Sequence, residues 1–215
     1  MKSYGNRIIG LVGLWFIFAL SASAMHIFSN SSNRIGLSVA FAALLPIIVF
    51  FVWFRISRPF RSFIESLNPR TLTLLNSWRI LGFVFVLLEA HRLLPAVFAL
   101  PAGYGDMAIG ATATLVAWKL ATPRHRSSFI LWQLLGIADL VTAVTLGVTA
   151  GLIDPHGVSM APVTVLPLSL IPTFLVPLYL ILHVISIRQA RAWDSASDRV
   201  KSFPAYVEPQ VASGQ

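Results

Sequence analysis

The chain is 215 residues long, 56% hydrophobic and only 11% charged. That composition excludes an ordinary soluble domain and points to an all-α integral membrane protein, with room for roughly five to seven spans of ~20 residues. The net charge of +8 falls in loops beside apolar runs, which argues against nucleic acid as a partner, and the lack of cysteine excludes disulfides, thiolate metal sites and cysteine nucleophiles.

Lys2 and Arg7 precede the apolar run 8–28, the first expected span. The same stretch has the form of a secretory signal, with the hydrophobic IIGLVGLWFIFAL ahead of Ala22-Ser23-Ala24, so cleavage there is a competing expectation. A polar turn, Ser29–Arg34, leads into a second span at 35–54, mildly kinked at Pro46. In the basic loop 55–70, Phe60, Phe63, Ile64 and Leu67 recur at helical spacing, which predicts a short cytoplasmic surface helix over 59–67, ended by Asn68-Pro69.

The third span is expected at 73–94. Pro95–Gly103 reads as a break at membrane depth, and the fourth span follows at 104–121. On that span Asp106, Gly110, Ala113 and Ala117 share one face, and small residues there allow close helix approach. The fifth span, 128–150, carries a similar face of Gly136, Asp139, Ala143 and Gly147. The sixth, 162–187, holds Pro162, Pro167, Pro172 and Pro177 and should be bent or partly broken. Residues 1–187 thus read as one membrane domain and 188–215 as a disordered cytoplasmic tail.

With six spans and a cytoplasmic N-terminus, Arg34 and Arg92 fall outside and Arg79 within a span. The other thirteen of the sixteen Lys and Arg residues then fall inside. This bias places both termini in the cytoplasm and the protein in the plasma (inner) membrane.

Ionisable residues within spans are costly and mark candidate sites. Glu89, Arg92, Asp106, Asp139 and Arg79 are the candidates for binding substrate or protons, in an outward-facing pocket built mainly by the third and fourth spans. Glu89 and Asp106 could form the carboxyl pair of a proton relay, with Arg92, three residues from Glu89, as the neutralising partner. Arg79 and Glu89 lie about 15 Å apart along a helix, too far for contact. Asp106 could equally cap the fourth helix. Asp139, near the middle of its span, could bond Thr142 or Gln133, or pair with Arg79 from another helix. By counted depth, Glu89, Asp106 and His91 lie toward the outside, Asp139 near the midplane, and Arg79 and His183 toward the cytoplasm.

His91 with Glu89 and Asp106 is a weak candidate set for a metal, and His26, His91 and His183 are weak candidates for axial haem ligation. The CxxCH, HExxH, Walker and GxSxG patterns are all missing. No cofactor is specified. The leading expectation is therefore binding or translocation of an ion, proton or small molecule, with a homodimer as one arrangement. An intramembrane enzyme or redox protein acting on lipid, quinone or haem is one alternative. A structural or regulatory subunit that serves a membrane partner and has no ligand of its own is the other.

Overall fold

The computed structural model describes residues 2–29 and 37–201, with side chains for 4–29 and 37–193. Every regular element in them is helical. Arg34, the start of the expected second span at Ile35, and residues 202–215 lie outside the described residues.

Helices α1 (Lys2–Ala24) and α2 (Leu37–Ile56) come first, followed by the short α3 (Arg58–Ser66). Ser57 caps α3, its hydroxyl accepting from the Phe60 N–H at 3.3 Å. Phe60 and Ile64 of α3 are buried, and the Phe60 ring stacks on Trp53 with centroids 4.3 Å apart.

Next comes the run Pro69–Ala90, which changes helical form twice. It begins as α4 (Pro69–Leu74), tightens to a 3₁₀ segment over Leu75–Gly82, and relaxes to α5 (Phe83–Ala90). Asn68 caps it, accepting from the Arg70 N–H at 2.9 Å.

Helix α6 (Ala96–Lys119) starts directly after Pro95 and runs unbroken through Pro101. The expected interruption at Pro95–Gly103 is therefore absent, and the short apolar run VFAL is the start of this helix. Pro101 is its sixth residue, so its missing N–H leaves one first-turn carbonyl unpaired without breaking the helix. As a result Asp106 lies inside α6, as its eleventh residue, and is not a cap.

Helix α7 (Arg126–Ile153) follows. Pro162, Pro167, Pro172 and Pro177 act more strongly than expected. Regular α-helix begins only at α8 (Val176–Lys201), preceded by a π turn at Ile171–Leu175 and short irregular turns before that. Prolines at intervals of five repeatedly remove the donors that an i→i−4 ladder needs. At its other end α8 continues through Lys201, where the sequence suggested a tail from residue 188. Tertiary contacts hold this part: Ala190 is fully buried, Trp193 packs on Phe129 at 5.4 Å, and the Ala190 carbonyl accepts from Arg126 Nε at 3.1 Å.

Five runs are long and apolar enough to cross a membrane: Tyr4–Ala24, Leu37–Ile56, Pro69–Ala90, Pro123–Ile153 and Ile171–Trp193. In the first two, 17% and 11% of the most apolar window is buried, against 56% in the last, so α1 and α2 are peripheral and α8 is central. Helix α6 is not among the five, although its 24 residues extend about 36 Å. Its position explains this: Ala99, Ala102, Gly103, Gly110, Ala113 and Ala117 are all buried, so it packs by small residues more than by large apolar ones.

Candidate functional site

The 3₁₀ segment organises the polar centre. At three residues per turn, side chains three apart lie above one another. Thr73, Asn76, Arg79, Gly82 and Phe85 follow that spacing, and all five are buried. Arg79 is thereby held in the same stripe as core residues. Its side chain is 1% exposed.

Helix α6 meets this segment through glycine. A Cβ on Gly110 would strike the backbone of Arg79 and Ile80, one on Gly82 would strike the Asp106 side chain, and one on Gly103 would come within 3.0 Å of the Gly82 carbonyl oxygen. The two segments come this close because Gly82, Gly103 and Gly110 carry no Cβ at these points. Gly105 in turn leaves room for the Asp139 carboxylate to reach over from α7.

Four helical runs therefore converge on one guanidinium. Arg79 Nε donates to Asp106 Oδ1 at 2.7 Å, and Arg79 Nη2 donates to Asp139 Oδ2. Nη1 faces the Gly136 carbonyl oxygen at 3.5 Å and His183 Nε2 at 3.2 Å. A guanidinium only donates, so Nε2 of His183 accepts and the ring hydrogen sits on Nδ1. Nδ1 then donates to Gln133 Oε1 at 2.5 Å. Gln133 Nε2 donates to Thr73 Oγ1 at 3.3 Å, and that hydroxyl donates to the Pro69 carbonyl at 2.8 Å. Above the guanidinium lies the Tyr179 ring, 5.7 Å from its carbon to the ring centroid.

Asp106 and Arg79 also line a groove of about 310 Å³ between the 75–85 region and residues 171–182. Its other walls are mainly apolar, among them Leu81, Phe85, Leu140, Val176 and Leu182. At its mouth Trp78 is 67% exposed. The groove thus presents an arginine and a carboxylate among otherwise mainly apolar walls.

Of the sequence candidates, the structure brings together Arg79, Asp106, Asp139 and His183. Counting residues had put these at three different depths; the tightened helix, the early start of α6 and the long arginine side chain bring them to one. Asp139 meets Arg79, while Gln133 binds His183 instead of Asp139. Glu89 and Arg92 lie apart, where the chain turns out of α5. The Arg92 N–H donates to the Glu89 carbonyl at 2.7 Å with Arg92 in a left-handed conformation (φ 55°). The groove is thus lined by the third apolar run, residues 171–182, Leu140 of α7 and Asp106 of α6, and by no residue of the connection after α5.

The metal and haem sets change accordingly. Among the described residues no three His, Cys, Asp or Glu side chains converge as a metal site, so His91, Glu89 and Asp106 do not form one. His26 and His91 are exposed, His26 in a left-handed turn (φ 57°). His183 is fully buried with both ring nitrogens engaged, leaving neither free for iron. Residues that sequence reasoning passed over are Thr73, Gly82 and Tyr179. The three-residue spacing from Thr73 to Phe85 was the legible sign for the first two.

No curated protein and no solved structure matches the chain. Residues 34–191, which contain every member of the cluster, match the family described as a domain of unknown function, DUF8737, and the chain belongs to that family.

Proposed function

We propose that the chain is a multi-pass inner-membrane protein that binds a proton at the Arg79–Asp106–Asp139 cluster and, through the adjoining groove, admits or translocates a small ion or amphiphilic molecule. In this reading α6 joins the five long apolar runs as a sixth span, and both termini are cytoplasmic, as the distribution of Lys and Arg favours.

The observation that carries the reading is charge balance. One guanidinium faces two carboxylates in a place largely closed to water, and no second cation touches them among the described residues. Either a net charge of −1 stays in a low-dielectric setting, which is costly, or a proton or a cationic group completes the site. Asp106 lines the groove, so that completion can come from a bound molecule. The apolar walls suit the body of such a molecule and the carboxylate suits a donor or cationic end.

The proton is the direct probe. Infrared difference spectra of the reconstituted chain across a pH step should show a carboxylic-acid carbonyl band that titrates, and the band should vanish in Asp106→Asn/Asp139→Asn. An identical difference spectrum in that double variant would overturn the proposal. A second reading, in which the polar residues only knit the helices together, is favoured by the fully buried His183–Gln133–Thr73 chain, whose residues do not line the groove beside Arg79. It predicts no titrating band at all.

A further inference from the structure

A second cleft, of about 780 Å³, lies between the C-terminal part of α2, α3 and residues 184–193 of α8. Phe50, Phe51, Phe54 and Ile185 give it apolar walls, while Arg55, Arg188, Arg191 and Glu65 give it charge. Three arginines against one glutamate leave a net charge of +2. Arg188 already donates to Glu65 at 3.1 Å and lies 4.6 Å over the Phe54 ring. Arg55 and Arg191 are exposed and have no acidic partner among the described side chains.

Two buried polar atoms beside the cleft lack partners among the described residues. Arg61 donates through Nη2 to the Arg55 carbonyl at 3.0 Å, but its Nε has no acceptor. Gln189, 7% exposed, donates through Nε2 to the carbonyls of Ile64 at 2.9 Å and Leu67 at 2.8 Å. Those two acceptors fix the amide orientation, so its Oε1 is an acceptor left without a donor. Orphaned buried polar atoms are costly and call for a partner.

We propose that this cleft holds one anionic phospholipid carrying a headgroup hydroxyl. Its phosphodiester lies between Arg55 and Arg191, its hydroxyl supplies the donor that Gln189 lacks, and an acyl chain runs along Phe50, Phe51 and Ile185. Each feature meets a chemical need of that ligand: cations for phosphate, an acceptor for the hydroxyl, an aromatic wall for hydrocarbon. Basic pockets between helices at the cytoplasmic face recognise headgroups in this way. The inference rests on the membrane reading of the chain but not on the Arg79 cluster.

The test is native mass spectrometry of the full chain released from phosphatidylcholine vesicles, with and without phosphatidylglycerol. One phosphatidylglycerol should survive delipidation, and Arg55→Gln/Arg191→Gln should weaken its retention about 30-fold. Arg191→Lys, which keeps the charge, should retain it and serves as the folding control. Equal retention of both lipids, or no effect of the double glutamine variant, overturns the site. Displacement of the lipid by inorganic phosphate at millimolar concentration would show a free-anion site instead. Failure of the chain to enter the vesicles at all would reject the membrane reading, a separate result.

Discussion

Replacing Arg79 by methionine tests the central inference most directly. The change keeps a long, flexible side chain and removes the one cation among four acceptors: Asp106, Asp139, the Gly136 carbonyl and His183 Nε2. The side chain is 1% exposed and the two carboxylates 17% and 15%, so water can compensate only in part. Removing one member of a buried ion pair costs about 3–5 kcal/mol, because the partner charge is left uncompensated. Here two carboxylates are left facing each other, so the upper part of that range is expected. Adding Asp106→Asn and Asp139→Asn removes the stranded charges and should restore more than half of the loss. Stability is read by denaturant titration of the reconstituted chain, followed by circular dichroism. A cost below about 1 kcal/mol for Arg79→Met would refute the argument, since an exposed pair costs no more than that. So would a triple variant as unstable as the sum of its parts, because coupled charges cannot behave additively.

Two further substitutions probe packing. Gly136→Ala drives a Cβ into the His183 ring, which is pinned through both nitrogens, and should destabilise by about 1–3 kcal/mol. Gly10→Ala, with nothing within 4 Å, is the matched control and should be neutral or stabilising by up to about 1 kcal/mol; equal effects from the two would rule out the close approach at Gly136. Phe60→Ala removes the ring stacked on Trp53 and should cost about 3–5 kcal/mol, loosening α3 from α2. Hydrogen exchange over residues 58–66 should then rise well above that of α6, and unchanged protection would show that Phe60 does not anchor α3.

Local pattern was enough for several features of this chain. The apolar runs, the four-residue hydrophobic spacing from Phe60 to Leu67, and the small-residue faces around Asp106 and Asp139 can all be read from residue order, because helical periodicity is a property of the sequence alone. The same order picked out Arg79, Asp106 and Asp139 as misplaced in hydrocarbon. It could not say which charges meet. Pairing Arg79 with two aspartates involves a 3₁₀ segment packed closely against Gly110 and Gly103, and an α6 that begins eight residues before its expected start. Glu89 and Arg92 looked equally eligible in the sequence, yet lie where the chain turns out of α5. His183 read as a weak haem ligand toward the cytoplasmic side, yet Gly136 and Gln133 give its ring a closed seat. Helical periodicity fixes which face a residue occupies, but the depth and partner of a buried charge depend on backbone approach between segments far apart in the chain. That approach exists only in the assembled structure.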